Sequence, residues 1–257
     1  MLTHPTLDQL RALKLDGMVQ AFIELAAQEE VRNLAHAEWL ALLLDREAAD
    51  RNTRRFQTRL RAARLRHSQA AIEDVDYRTP RRLDKALFQQ LGTCRWIAEH
   101  RGLLVTGPCG IGKSWLSCAL AQKACRDGYT VHYARVPHAS HGCSEMLVKV
   151  DLLVLDDWGP DRLSASQRRD LMEIVEDRHG RGSMLITSQL PVTTWHEVIG
   201  EPTLGDAILD RIVHNAYRLE LDGPSMRKIK ASEATEPAAS PVATLAADSK
   251  PAKGVKK

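Results

Sequence analysis

Long apolar runs are missing from this 257-residue chain. None approaches the roughly 18 residues that a membrane helix needs. The start, Met1 to Pro5, leads into charged residues rather than into the apolar core of a leader. Cysteine is scarce as well: five residues, at 94, 109, 118, 125 and 143, odd in number and without a C-x-x-C pair. That usage argues against a disulfide framework and suits a reduced, cytoplasmic protein with no membrane attachment. A strong charge of one sign is also absent, since 36 basic residues face 33 acidic ones for a net +3. Global charge therefore assigns no nucleic-acid partner, and only local clustering can. The length fits one medium domain plus a smaller one, with enough chain to bury a core.

One motif is complete. Gly107, Pro108, Cys109, Gly110, Ile111, Gly112, Lys113 and Ser114 fit G-x-x-x-x-G-K-[ST] at every fixed position. The glycines let backbone N–H groups turn inward around phosphates, and Lys113 can reach the outer phosphates. Ser114 offers a hydroxyl to magnesium, and the following helix points its positive end at the anion. The apolar Leu103, Leu104 and Val105 precede the motif. Trp115, Leu116, Ala119 and Leu120 follow at helical spacing, so the loop sits where a strand gives way to a helix.

Residues 130–136 read as a second strand. The run Leu152, Leu153, Val154, Leu155 ends in Asp156 and Asp157, the pattern of a buried parallel strand bearing a Walker B acid pair. In that pattern Asp156 is the magnesium ligand beside Ser114, and Asp157 orients or deprotonates an attacking water. Ser164 with Gln167 forms a capping box for the next helix, which Gly180 ends. Residues 183–189 form a further strand whose polar end, Ser188 or Gln189, can touch the terminal phosphate or is merely a polar strand end. A helix over 206–215 carries Arg211, and a last strand covers 217–221. Strands alternating with helices predict an α/β fold with a parallel sheet flanked by helices, over residues 83–230.

Ahead of this core, residues 1–67 predict a small all-α region. One helix spans 7–27, and a second spans 36–67 with Trp39, Leu40, Leu43 and Leu44 on its first half. On the second half Arg51, Arg54, Arg55, Arg59, Arg61 and Arg66 fall within one arc, opposite Phe56, Leu60 and Ala63, and no acid lies between Arg51 and Arg66. The stripe reads either as a solvated face or as a contact for the DNA phosphate backbone. Residues 68–82 read as a connector around Thr79-Pro80. A short helix over 84–99 leads into the P-loop strand, and 231–257, rich in Ala, Pro, Ser, Glu and Lys, read as a disordered tail. His138, His141 and Cys143 stand close together, but no second pair at zinc spacing accompanies them.

With these residues placed, the chain resembles the IstB helper ATPases of insertion sequences, relatives of the DnaC helicase loaders in the AAA+ superfamily. The stretches that carry the resemblance are CRWIAEHRGLLVTGPCGIGKSW, VDLLVLDDWGP, QRRDLMEIVEDRHGRGSMLITSQLP and GDAILDRIVHNAYRLELDGPSMRK. It implies ATP with Mg2+ as cofactors, and an oligomer of identical subunits with ATP between them. It further implies duplex DNA and an IstA-type transposase as partners. By motif position it implies Arg211 as a trans-acting arginine finger, Gln189 as first sensor and Arg227 as second sensor. The chain departs from that family in residues 137–150, where a longer Arg- and Leu-rich helical segment is normal; about a dozen residues suffice to close a parallel crossover. A helicase loader, and a nucleotide-binding module with little hydrolysis, are the competing readings; a small-molecule kinase lacks an evident acceptor pocket or lid.

Overall fold

The computed structural model describes residues 4–28, 34–135, 149–159 and 161–228. His138, His141, Cys143 and the tail from 231 lie outside them. Five strands, β1 (Gly102–Thr106), β2 (Val131–Arg135), β3 (Leu152–Trp158), β4 (Ser183–Ser188) and β5 (Ala216–Glu220), form one sheet in the order β2-β3-β4-β1-β5. Every neighbouring pair is parallel, including β2 with β3 across the shortened crossover.

The helices are α1 (Pro5–Ala12), α2 (Asp16–Ala26), α3 (His36–Ala63), α4 (Lys85–Leu91), α5 (Arg95–Ala98), α6 (Lys113–Arg126), α7 (Ala165–Arg178), α8 (Trp195–Ile199) and α9 (Pro202–Val213). Alternation along the strands divides the core into two layers. Leu103, Val105, Leu152 and Val154 pack with Leu116, Ala119 and Leu120 of α6 and with Phe88 and Leu91 of α4. Leu104, Leu153 and Leu155 pack on the other face with Leu171, Ile174 and Val175 of α7 and Ile208 of α9. Ser164 caps α7 through Gln167 as its spacing predicts, each side chain bonding the other residue's backbone N–H.

The helices ahead of β1 differ from the sequence expectation in three places. The helix expected over 7–27 is two helices, because Lys14 turns left-handed at φ 57° between α1 and α2. Neither glycine nor proline marks that turn, and the apolar spacing runs through it. The helix expected over 84–99 likewise divides into α4 and α5 at Cys94, φ 58°. The third difference bears on the site: α3 stops at Ala63, and Arg64 at φ 52° caps it in the left-handed region.

At about 42 Å, the 28-residue α3 reaches two clusters. Its first half buries Leu43 against Met18 and Ala21 of α2, with Phe22 and Trp39 edge to face at 5.1 Å, while Leu40 and Leu44 stay exposed. Its second half packs Phe56, Leu60 and Ala63 into the α6 layer of the sheet. Among the described residues no helix is long and apolar enough to cross a membrane.

Buried Glu47 joins α3 to α2 by accepting the Met18 N–H at 3.2 Å and the Arg51 guanidinium at 2.7 Å. Gly17 lies so close that an added Cβ would sit 2.8 Å from Glu47 Cα. A backbone atom cannot step aside as a side-chain end can, so Gly17→Ala is expected to destabilise the α2–α3 pair by about 1–3 kcal/mol. Hydrogen exchange should show faster opening of α2 with unchanged protection of β1 and β4; equal loosening of the sheet would contradict a separate amino-terminal cluster.

Candidate nucleotide-binding site

The P-loop runs from the end of β1 into α6 and requires its glycines sterically. Gly107, Gly110 and Gly112 have φ of 145°, 81° and 102°, where L side chains are strained. A Cβ on Gly107 would meet Leu221 O at 2.3 Å, and one on Gly110 would meet Ser225 Oγ at 2.3 Å. The segment after β5 therefore lies directly on the loop, fastened by Met226 N–H donating to Gly110 O at 3.0 Å. Lys113 Nζ donates to Gly107 O at 2.6 Å and Pro108 O at 2.9 Å. Burial lowers its pKa, against the pull of Cys109, Asp157 and Asp156.

Asp156 is fully buried at the end of β3, and three hydroxyls reach it from three elements. Ser114 Oγ of α6 donates to Oδ1 at 2.8 Å, Thr187 of β4 donates to the same oxygen, and Tyr133 of β2 donates to Oδ2. Burial and the Asp156 acceptor raise the Tyr133 pKa, which keeps the phenol a donor. Between the pairs Leu155 with Ile186 and Trp158 with Ser188, β3 carries one residue more than β4. That irregularity falls at the acid pair, and Asp157 takes φ 60° there. Its backbone N–H donates to Thr187 Oγ1 at 3.1 Å, so Thr187 holds both aspartates. The Asp157 carboxylate lies 3.4 Å from Arg135 Nη2 and 4.0 Å from Arg66 Nη1.

A cavity of about 510 Å³ opens over these groups, a size that suits a nucleotide. Cys109, Gly110, Gly112, Lys113, Ser114, Trp115, Asp157, Gln189 and Arg227 line it, so most residues read from the motifs converge. The hard oxygens of Ser114 and Asp156 stand side by side, a donor set that fits magnesium. Ser188, by contrast, is committed to the backbone: its Oγ donates to Trp158 O at 2.8 Å and accepts the Leu190 N–H at 3.0 Å. Arg211 is not among the cavity residues. It lies on α9, where it donates to Ala207 O at 2.9 Å and pairs with Glu176 of α7 at 3.3 Å.

The arginine stripe does not stay whole. Arg51 is held by Glu47, and Arg54 by Asp16 at 3.0 Å and Asp50 at 3.3 Å. These acids lie outside the 51–66 interval, one turn earlier on α3 or on α2, which is why the interval looked bare. Arg59 Nε donates to Cys125 O at 2.8 Å. Arg66 leaves the stripe because α3 ends before it, and it lines the cavity instead. Arg55 and Arg61 remain exposed with no ion pair among the described residues.

The sequence reading missed the second wall. The connector contributes Asp74, Asp76, Thr79 and Arg81 to the cavity. Arg81, 3% exposed, donates to Asp76 O at 2.7 Å and Ile111 O at 3.3 Å, and its buried Nε has no partner among the described residues. Charged residues flanking Pro80 were the available signal. His67 also lines the cavity; burial, helped by Arg66, lowers its pKa.

A parallel sheet of this order, with a P-loop after β1 and an acid pair near the end of β3, defines a P-loop nucleotide-binding protein. Residues 8–234 match the family described as IstB-like ATP binding protein. A Sinorhizobium fredii (strain NBRC 101917 / NGR234) protein named as an insertion sequence ATP-binding protein, y4pL, is 52% identical over 240 residues, covering 89% of this chain and 98% of that relative. The ATP-binding protein named for insertion sequence IS1162 of Pseudomonas fluorescens is 41% identical over 206 residues, covering 76% and 89%. The crystal structure of DnaI superposes with a TM-score of 0.51 at 21% identity, over 64% of this chain and 93% of that one, a likeness of fold. The chain belongs to the IstB-like ATP-binding proteins.

Cys109 is exposed at the cavity, whereas burial pushes the Cys94 thiol up to about 12 and those of Cys118 and Cys125 up to about 11. A maleimide should therefore modify Cys109 ahead of these three and block binding of a fluorescent ATP analogue, with ATP protecting. Mass spectrometry locates the adduct; unchanged affinity in protein modified at Cys109 would contradict this geometry.

Proposed function

We propose that this chain hydrolyses ATP with magnesium, binds duplex DNA in its ATP state, and serves transposition by capturing target DNA and regulating an IstA-type transposase. The observation that carries the reading is Asp156 of the acid pair held against the P-loop serine in a member of this family. Its relatives' names tie them to insertion sequences, which favours transposition over helicase loading. Bound magnesium would draw electrons from the phosphates and offset their charge. In this reading Lys113 and the loop N–H groups bind the phosphates, and Ser114 and Asp156 hold the metal. Asp157 accepts a proton from the attacking water, with Gln189 orienting it. Arg135 keeps Asp157 in place. Arg211 completes the site of a neighbouring subunit once it exchanges Glu176 for phosphate, and Arg227 contacts the nucleotide in its own subunit.

For DNA we propose the region formed by α1, α2 and α3, with Arg55 and Arg61, which form no ion pair among the described residues, as contacts and Arg51, Arg54 and Arg59 partly committed to their partners. Fluorescence anisotropy with a duplex at one fixed salt concentration, comparing ATP, ADP and no nucleotide, tests the reading. Tight binding only with ATP is expected. Replacing Arg55 and Arg61 by alanine should weaken binding evenly across sequences and lower the salt slope by about 1–2. Asp157→Ala should keep nucleotide and DNA while turnover falls about 100-fold or more. Equal weak DNA binding in all three nucleotide states would overturn ATP-dependent capture, and retained turnover would move the base elsewhere.

A further inference from the structure

The second half of the arginine-bearing helix is fastened to the P-loop helix. Arg59 Nε holds Cys125 O at the far end of α6, and Phe56 and Leu60 pack into the layer formed by Leu116, Ala119 and Leu120. Past the left-handed Arg64, Leu65 and Ala70 on either side of Arg66 are buried in the same core. The chain is thereby fixed on both sides of the point where Arg66 enters the cavity. Its Nη1 reaches to 3.8 Å from Asp156 Oδ2 and 4.0 Å from Asp157 Oδ2. The two oxygens of Asp156 are unequal: Oδ1 takes Ser114 and Thr187, while Oδ2 takes Tyr133 and faces Arg66.

We propose that Arg66 is a positioning residue which holds the acid pair from the end of α3 and yields it when magnesium is bound, passing the state of the ATP site to the arginine-bearing helix. The inference rests on reading the cavity as a magnesium–ATP site. A guanidinium about 4 Å from two carboxylates competes with a dication for the same negative charge. Asp157 does not lose its only partner when Arg66 leaves, because Arg135 stands closer, at 3.4 Å. The end of α3 then follows, since only Leu65 and the left-handed Arg64 separate Arg66 from the helix that carries Arg61 and Arg55. Coupling between binding sites is reciprocal, so DNA on that helix changes magnesium–nucleotide affinity by the factor with which magnesium–nucleotide changes DNA affinity. With its side chain 36% exposed, Arg66 contributes little to folding through so long an ion pair, so removing it tests coupling rather than stability.

The test uses the full chain as wild type, Arg66→Ala and Arg66→Lys, with melting temperature as the folding control. Binding of a fluorescent ATP analogue is titrated against Mg2+, and duplex affinity is measured with and without Mg–ATP. In Arg66→Ala the half-saturating Mg2+ concentration should fall about three- to tenfold. Arg66→Lys should lie near wild type, and the nucleotide dependence of duplex affinity should shrink in the alanine variant. An unchanged Mg2+ requirement overturns the proposal. A raised one also overturns it and assigns the guanidinium to the phosphates. Undiminished nucleotide dependence of DNA affinity overturns the link to α3. If the wild type fails to bind the analogue at any Mg2+ concentration, the magnesium–ATP reading itself fails, and the proposal with it.

Discussion

A carboxylate removed from water must be hydrogen-bonded by its surroundings or it costs several kcal/mol. Asp156 is in that position, and its three hydroxyl donors come from α6, β2 and β4, the elements that meet at the carboxyl end of β3. Meeting that requirement fixes the spacing of the P-loop helix from the sheet. It also sets the strand order locally, since Tyr133 and Thr187 can both reach Asp156 only if β2 and β4 flank β3. Thr187 extends the arrangement by accepting the Asp157 N–H, so the irregularity in β3 turns the second acid toward the cavity. Asp157, about a third exposed and bracketed by Arg135 and Arg66, is the accessible member of the pair.

The arginines of the chain divide by what they touch. Arg81 and Arg178 are buried and pin backbone carbonyls, Arg81 beside the P-loop and Arg178 at Val150, Asp151 and Ser183, at the amino ends of β3 and β4 opposite the site. Arg66 and Arg135 reach carboxylates in the cavity. Arg51 and Arg54 brace α3 against α2 and its own preceding turn. A stripe that looks uniform by angle is thus a set of separate structural duties, and of its arginines Arg55 and Arg61 are exposed with no ion pair among the described residues. The continuity of α3 carries it from the Leu43 cluster to the α6 layer, so it joins the two clusters.

The sheet and the P-loop were legible because local chemistry dictates them. Apolar runs of strand length, three glycines in one loop and a capping box each have a short-range physical cause, and β1, β3, β4, α6 and α7 formed where those causes act. Asp156 and Asp157 were legible for the same reason, standing at the end of a run that only a buried parallel strand explains. The partners that hold them were not, because Tyr133, Thr187 and Arg135 become neighbours only through sheet order. The place of Arg66 beside the acid pair was hidden by a helix end that no glycine marks, Arg64 taking the left-handed cap. The cavity wall from 74 to 81 read as a connector because it has no periodicity; its place is set by contacts with 221–226, far away in the chain. There Asp222 N–H donates to Arg81 O, and Gly223 passes so near that a Cβ would meet Pro80 O at 2.3 Å.

The most direct test of a site organised around Asp156 is the magnesium dependence of ATP-analogue binding in Asp156→Asn, a change that keeps shape and removes charge. Nucleotide should still bind without the metal, held by Lys113 and the loop, while the enhancement by Mg2+ expected in wild type should be lost. An Asp156→Asn protein that folds, binds the analogue and keeps the full Mg2+ enhancement would contradict the central role given to this carboxylate.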